Sequence, residues 1–285
     1  MRVKDMQRPG TVLIGKGPDK TECTVMTGTC GYSYLEWVDS GFYPPGTRSA
    51  AMLRLYGECF SVVELNYTWY QMARSDALAR MLAAAPAHML FTAKLTRTVT
   101  HERDDDWRDQ VQRYRQGIGA LGKRLVAILV QLPPDFTRTV ANRRFLAELL
   151  DGLQPMPTAV EFRHASWAVD SVFTELERRR ITLVSVDEPD LVGLFPCLDV
   201  VTNPSLFYVR FHGQNRDGWK SGNMQKKFDY DYTSAELQQW CEKKLPGLAS
   251  RSARGVIFFN NHVRAQAPRN ARLLESLLKQ QAGRS

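Results

Sequence analysis

The sequence predicts an α/β protein that folds as one closed (β/α)8 barrel, with eight parallel strands surrounded by helices. Eight short apolar runs recur along the 285 residues, and a longer amphipathic stretch follows most of them. Apolar residues make up 44% of the chain, which is enough for a full core. The sequence contains no GxGxxG or GxxxxGKS/T loop, which disfavours the alternative, an open doubly wound sheet.

The apolar runs are rich in β-branched and aromatic residues and are bounded by glycine, proline or polar residues, which is typical of strands covered on both faces. The predicted strands are residues 23–29, 61–66, 88–94, 125–132, 158–163, 181–187, 206–213 and 255–261. The predicted helices are residues 48–60, 75–86, 106–123, 142–153, 170–180, 233–245 and 268–280. The helical pattern is weak over residues 188–205 and leaves a helix there open.

One domain accounts for most of the chain. Residues 1–22 lack a continuous apolar segment and a small-residue cleavage site, so we expect a poorly ordered leader rather than a signal peptide. Residues 23–283 are expected to form the barrel. The longest loop, at about residues 213–233, is long enough to indicate function or mobility.

Composition limits the setting and the partners of the protein. The sequence has no run of about 18 apolar residues, so we expect no membrane span. Five cysteines without a CxxC pair indicate reduced thiols in a cytoplasmic protein. The net charge of +8 is scattered along the chain, which is typical of a solubilising surface and also permits nucleic acid as a partner.

Polar residues occur at the carboxyl ends of nearly all the predicted strands. Side chains alternate between two faces along a strand, and on this period one face turns polar where each strand ends. In a barrel these ends meet at one mouth, where active sites lie. The residues expected to converge there are Glu64, Asn66, Lys94, Gln131, Glu161, Arg163, Asp187, Arg210, His212 and Asn260.

The mixture of acids and bases indicates chemistry on an anion. Lys94, Arg163 and Arg210 would hold a phosphate or carboxylate group. The catalytic candidates are the acid–base carboxylates Glu64, Glu161 and Asp187, and His212 as a proton shuttle. Further candidates for substrate contact are Asn66, Tyr32, His164, Trp167 and Asn260.

The same residues allow other roles. Glu161, Asp187 and His212 could hold a divalent metal ion as cofactor. Glu64 and Glu161 could instead form a glycosidase-like pair. The charged side chains could also form only a structural ion-pair network, and the loop aromatics could either stack on a sugar or base or wedge the loops onto the barrel.

Several motifs resemble those of one protein family. They are GTCGYSYLEWVDSGFYP, VVELNYTWY, FTAKLTRTVTH, QLPP, VEFRHASW, VSVDEP, YVRFHG, DYDYTSAELQQW and FFNNHVRAQAPRNARLL, in this order over roughly residues 24–280. On these motifs the chain resembles the DUF72 (YecE-like) family, and the resemblance implies a TIM barrel without an established activity. The chain departs from the family pattern at Tyr32, where tryptophan is usual, and at Trp69, where phenylalanine is more frequent.

We therefore hypothesise an enzyme that acts on a phosphorylated or other anionic substrate at the mouth of the barrel, as a phosphodiester hydrolase or a sugar isomerase would. Two other hypotheses stay open. One is a protein that binds or processes nucleic acid, which the positive charge and loop aromatics permit. The other is a non-catalytic barrel that binds a small molecule.

Overall fold

The computed structural model describes residues 8–18 and 21–283, and within them one mixed sheet of nine strands. The strands are β1 Thr11–Lys16, β2 Glu22–Thr29, β3 Val62–Leu65, β4 Leu90–Lys94, β5 Leu125–Gln131, β6 Thr158–Glu161, β7 Thr182–Asp187, β8 Phe207–Phe211 and β9 Arg254–Phe259. The strand order is β1-β2-β9-β8-β7-β6-β5-β4-β3. Strand β1 pairs antiparallel with β2, and the other pairs are parallel.

Helices follow most of the strands, as the amphipathic stretches predict. The α-helices of the described residues are α1 Glu36–Asp39, α2 Ser49–Gly57, α3 Tyr67–Tyr70, α4 Ser75–Ala84, α5 Trp107–Ile118, α6 Val140–Leu153, α7 Asp170–Arg179, α8 Arg216–Lys220, α9 Met224–Lys227, α10 Ser234–Gln239, α11 Leu245–Ala249 and α12 Gln266–Ala282. Residues 188–205 contain no helix. Within the described ranges, no helix combines the length and hydropathy that a membrane span requires.

The predicted closed barrel of eight parallel strands is wrong, because the sheet has nine strands, is mixed and is open. The eight apolar runs do form strands, β2 to β9. The additional strand, β1, lies in the segment that the sequence assigned to the leader. Residues 1–7 and 19–20 of that leader lie outside the described residues.

The first and last strands of the parallel part of the sheet, β2 and β3, approach each other without forming a ladder. Residues 22–26 of β2 pair with β1 instead, and the N–H of Thr27 donates to the carbonyl of Gly10 at 2.8 Å. The two strands meet at one isolated parallel bridge, between Cys30 and Glu64. Because β1 satisfies much of this edge of β2, few backbone groups of β2 are left for β3.

A tyrosine hydroxyl takes the place of a ladder bond at this β2–β3 seam. The N–H of Thr29 donates to the hydroxyl of Tyr56 at 2.9 Å, and that hydroxyl donates to the carbonyl of Val62 at 3.2 Å. Gly28 allows the close approach, since a Cβ at this position would lie 2.3 Å from the carbonyl oxygen of Val62. A side chain, rather than a continuous ladder, therefore joins the two strands here.

Side chains also cross the interior of the curved sheet. The hydroxyl of Tyr208 on β8 donates to Glu64 on β3 at 2.6 Å and lies 3.0 Å from the hydroxyl of Thr92 on β4. All three residues are fully buried. Strands from opposite parts of the sheet are thus connected through its interior, which brings their carboxyl ends around one space.

We predict that Tyr56→Phe lowers the free energy of unfolding by about 1–3 kcal/mol, because the N–H of Thr29 and the carbonyl of Val62 lose a buried partner. Urea denaturation followed by circular dichroism measures the change. Tyr70→Phe is the matched control, since Tyr70 is 69% exposed, and it should change stability by less than about 0.5 kcal/mol. Equal stability of Tyr56→Phe and the unmodified protein would contradict the role of this hydroxyl.

Candidate functional site

A cavity of about 600 Å³ opens at the carboxyl ends of the strands. Its lining includes four cationic side chains and, among the described residues, no carboxylate. The long loop of residues 213–233 contributes to one wall. The lining residues are Tyr34, Asn66, Trp69, Tyr70, Lys94, His101, Gln131, Pro134, Arg163, Arg210, Met224, Lys227, Phe228, Asn260 and His262. We call this space the cation-lined cavity.

A chain of alternating charges lies beneath the cation-lined cavity. Arg210 donates to Glu64 at 2.7 Å and to Glu161 at 2.5 Å. Arg163 contacts the other oxygen of Glu161 at 2.5 Å and donates to Glu188 at 2.7 Å. The side chains of these five residues are at most 5% exposed. The arginines are thus held by carboxylates below while they border the cavity above.

Burial and ion pairing shift the pKa values of these carboxylates in opposite directions. Burial alone would raise the pKa of Glu161, but Arg163 and Arg210 outweigh it and hold the pKa well below its usual range. At Glu188 burial outweighs Arg163 and raises the pKa to about 7. One oxygen of Glu188 also lacks a hydrogen-bond partner. Glu161 is therefore a fixed negative charge, whereas Glu188 can change protonation near neutral pH.

His212 is fully buried beside this chain and is neutral, because burial and then Arg163 lower its pKa well below the usual range. Its Nε2 lies 3.0 Å from Nη2 of Arg163, which can only donate. Oε1 of Glu161 lies 3.4 Å from the same Nε2, and the amide nitrogen of Asn260 lies 3.1 Å from Nδ1. Both ring nitrogens of His212 are occupied within the protein.

Lys94 reaches the cation-lined cavity from the end of β4. Its ammonium group donates to Gln131 at 2.9 Å and lies 4.8 Å from the ring centre of Trp69. Burial, and then the charge of Arg210, lowers its pKa to about 8. No carboxylate forms an ion pair with Lys94 in the described part of the chain. It is a cation without an anionic partner at the cavity wall.

Two histidines line the cation-lined cavity. His101 is neutral, since burial and then Lys94 lower its pKa to about 4. The hydroxyl of Thr100 lies 2.8 Å from Nδ1 of His101 and 3.2 Å from the carbonyl oxygen of Thr96. Nδ1 of His101 is thus engaged within the protein, and its ring borders the cavity.

His262 is oriented by a carboxylate. Its Nδ1 lies 3.1 Å from Glu36, and its ring stacks on Tyr34 with 5.0 Å between the centres. The indole N–H of Trp37 also donates to its backbone carbonyl at 2.8 Å. A proton on Nδ1, directed to Glu36, leaves Nε2 as the acceptor, which is the arrangement of an imidazole that moves protons.

The structure brings most of the predicted site residues together. Lys94, Arg163, Arg210, Asn66 and Asn260 line the cation-lined cavity. Glu64, Glu161 and His212 lie beneath it, where they pair with the two arginines.

Asp187 does not join them, so its predicted position beside Arg163 and Arg210 is wrong. The carboxylate of Asp187 accepts hydrogen bonds from Gln214, Tyr232 and Trp240 at 2.6–2.8 Å. In the parallel register Val186, not Asp187, lies opposite Arg210. Glu188 shares the face of Val186 and supplies the carboxylate that pairs with Arg163.

Three of the proposed substrate contacts lie away from the cation-lined cavity. His164 caps the short turn Ala165–Trp167 by accepting from the N–H of Ser166. Trp167 is buried between Phe136 and Phe162, with its N–H donating to the carbonyl of Phe136. Tyr32 lines a separate cleft.

The three candidate metal ligands do not converge, because Asp187 lies apart from Glu161 and His212. Across the described residues, no group of three or more His, Cys, Asp or Glu side chains is placed to hold an ion.

Four charged or histidine residues of this site were not predicted from the sequence. His262 and Glu188 directly follow predicted strands, as "FFNNH" and "VSVDE" show. Lys227 belongs to the long loop whose length indicated function. Only Glu36 carried no local signal, because its contact with His262 joins residues 226 positions apart.

The fold and the site define a class: α/β proteins with a curved, open sheet whose strand ends hold a cation-lined cavity above a buried ion-pair network. The chain belongs to the family described as "Protein of unknown function DUF72", which matches residues 26–285. The predicted family membership is confirmed.

Individual relatives agree with this assignment. The UPF0759 protein YunF of Bacillus subtilis (strain 168) is 26% identical over 260 residues, which cover 85% of this chain and 92% of that protein. The crystal structure of a DUF72 family protein from Thermotoga maritima is 32% identical, with a TM-score of 0.81 over 90% of this chain and 99% of that chain. A DUF72 family protein from Enterococcus faecalis is 23% identical and has the same fold, with a TM-score of 0.79 over 90% of this chain and 95% of that chain.

We predict that Glu161→Gln lowers the free energy of unfolding by about 3–5 kcal/mol, because Arg163 and Arg210 lose the buried charge that they share. Glu58→Gln is the control, since Glu58 pairs with Arg54 at the surface, and it should cost less than about 1 kcal/mol. Chemical denaturation at neutral pH compares the two variants. Equal losses would mean that the buried network contributes no more than a surface pair.

Proposed function

We propose that the protein is an enzyme that binds a small phosphorylated or otherwise anionic organic substrate in the cation-lined cavity and transforms it by proton transfer. The observation that carries this proposal is the lining of the cavity, with four cationic side chains and no carboxylate among the described residues. A substrate anion would meet attractive charges there, in a partly enclosed space where screening by water is reduced.

The balance of charges supports an anion rather than a neutral ligand. Arg163 and Arg210 are paired with three buried glutamates. Lys94 contacts an amide, and Lys227 lies 3.5 Å from the ring centre of Trp219. Among the described residues neither lysine has an ion pair with a carboxylate. Four cations therefore face three carboxylates, and the two lysines carry the charge that an anion can neutralise.

Unpaired donors support the same ligand. The indole N–H of Trp69 is buried and has no hydrogen-bond partner, and Nε of Arg210 is also without one. Buried donors without acceptors cost about 1–3 kcal/mol each. Phosphate and carboxylate groups offer several acceptor oxygens and would satisfy them.

Proton transfer is assigned to the histidines of the lining. His262 has its tautomer set by Glu36, and His101 is a neutral imidazole at the cavity wall. Each could take a proton from a substrate hydroxyl or a water, and return it to a leaving group. Glu64, Glu161 and His212 would then position the two arginines, since their own polar atoms are engaged inside the protein. Ester hydrolysis and sugar isomerisation both fit these groups.

The charge of the two lysines makes anion binding depend on pH. Burial lowers the pKa of both Lys94 and Lys227 to about 8. Each is charged below that pH and loses its charge above it, so we predict that affinity for sulfate falls as pH rises through about 8. Sulfate is the probe because its own charge stays constant in this range. Isothermal titration calorimetry measures the affinity.

Lys94→Gln should weaken sulfate binding at neutral pH by about tenfold and flatten the pH dependence. Lys220→Gln, at the exposed end of α8, is the control and should leave the affinity within about twofold. Equal affinities on both sides of pH 8 would contradict the assignment of the lysines.

Turnover tests the enzymatic part of the proposal. A mixture of phosphorylated small molecules is incubated with the protein and followed by phosphorus NMR and mass spectrometry. At least one compound should be converted, and His262→Gln should slow its conversion by about a hundredfold or more. His88→Gln is the control, since His88 forms a hydrogen bond with the carbonyl of Gly57 and is not part of the cavity lining. Sulfate binding without any conversion would instead indicate a non-catalytic binding protein.

A further inference from the structure

A second cavity, of about 360 Å³, adjoins the first at the β2–β3 seam. Tyr34, Asn66 and Tyr70 line both spaces, which makes the two neighbours. The remaining lining of the second cavity is Gly31, Tyr32, Ser33, Glu64, Leu65 and Tyr67. We call it the tyrosine cleft.

The tyrosine cleft exists because the sheet does not close. After the single bridge at Cys30 and Glu64, the chain turns at Gly31, whose φ is +84°. A Cβ on Gly31 would lie 2.8 Å from the hydroxyl of Tyr34. Glycine thus lets Tyr34 fold back and donate to the carbonyl of Cys30 at 2.8 Å, which places an aromatic ring between the two cavities.

The chemistry of the tyrosine cleft differs from that of the cation-lined cavity. Its lining contains four tyrosines and no lysine or arginine. The faces of aromatic rings are electron-rich and attract the polarised C–H groups of a saturated ring. Tyrosine also offers hydroxyl groups for hydrogen bonds. Such a wall suits a neutral, hydroxyl-bearing group better than a second anion.

An unsatisfied acceptor stands where the two cavities meet. Oδ1 of Asn66 is buried and has no hydrogen-bond partner. The unpartnered N–H of Trp69, three residues later, borders the cation-lined cavity. A hydroxyl group donates and accepts at once, so neighbouring hydroxyls of one ligand could satisfy both atoms. Simple phosphate or sulfate at neutral pH offers mainly acceptors and would leave the Asn66 oxygen without a donor.

We propose that the tyrosine cleft and Asn66 bind the neutral, polyhydroxylated ring of the substrate while its anionic group lies among Lys94, Lys227 and the arginines. The substrate class is then a monosaccharide that carries a phosphate or a carboxylate group. This inference rests on the proposed function, because it takes the anion site of the cation-lined cavity as given.

Calorimetric titration with matched ligands tests the inference. The probes are inorganic phosphate, glucose, the phosphates of glucose, fructose and ribose, and glucuronate. At least one sugar phosphate or glucuronate should bind about tenfold tighter than phosphate, and glucose alone should bind weakly. The comparison of the sugar phosphates with glucuronate identifies which anionic group the cavity takes.

Variants assign the gain to the tyrosine cleft. Asn66→Leu keeps the branched shape of the side chain but removes its polar atoms, so it should abolish most of the tenfold gain, taken as the affinity ratio of the sugar derivative to phosphate in the same variant. Tyr67→Leu removes an aromatic wall that belongs to the tyrosine cleft alone, so it should reduce the gain and leave phosphate affinity within about twofold. It also serves if Asn66→Leu does not fold. Gln71→Leu, at an exposed position outside both linings, is the amide-to-apolar control and should keep the gain.

The outcomes separate this inference from the proposed function. If phosphate binds but no sugar derivative binds more than about twofold tighter, the inference is wrong and the anion site stands. A gain that persists in both Asn66→Leu and Tyr67→Leu would also overturn it, because the sugar would then lie elsewhere. If no anion binds at all, the proposed function and the inference fail together.

Discussion

The guanidinium group of Arg210 is buried and must pair with negative charges inside the protein. Carboxylates on two other strands supply them. Arg210 is 1% exposed and pairs with Glu64 of β3 and Glu161 of β6. Leaving such a buried charge without its partner would cost several kcal/mol, so the three strands are fixed relative to one another. The same pairing continues through Glu161 to Arg163 and Glu188. The residues beneath the cation-lined cavity are therefore held rigidly, and their carboxylates pair with the arginines inside the protein.

The local pattern of apolar residues was sufficient to predict strands β2 to β9, but it did not predict that the sheet stays open. The runs that became β2 to β9 are β-branched and apolar, and burial on both faces favours such residues wherever they occur. Strand β1 was not predicted because its apolar run, Val12–Ile14, has only three residues and lies in a segment otherwise rich in charged residues, glycine and proline. Its partner is one edge of β2. Closure was inferred from the number of strands. At the β2–β3 seam, however, the contact is made by the hydroxyl of Tyr56 and by the close approach that Gly28 allows. The periodicity of apolar residues carries no information about either.

Polar residues at strand ends predicted much of the candidate site. The prediction was wrong where a polar side chain was expected to point into the interior of the sheet and points to the helices instead. Lys94, Arg163 and Arg210 do meet at one cavity. Asp187 was assigned to the interior because it is charged, yet Tyr232 and Trp240 satisfy its carboxylate on the helix side. Those partners lie more than 40 residues away along the chain, so their presence could not be read locally. The alternation of side chains along the strand places Glu188 on the same face as Val184 and Val186, which is the face that points to Arg163 and Arg210.

The β2–β3 seam gives the molecule one compliant wall. Local opening costs free energy in proportion to the backbone bonds and apolar contacts that it breaks, and this seam has one bridge and a hydroxyl relay where its neighbours have ladders. Amide hydrogen exchange in this region should accordingly be governed by small, local fluctuations rather than by global unfolding. A cleft at such an edge can change its width where β2 moves, while the ion pair of Arg210 with Glu64 keeps β3 in place. A compliant strand and a strand fixed by a buried charge thus face each other across the same seam.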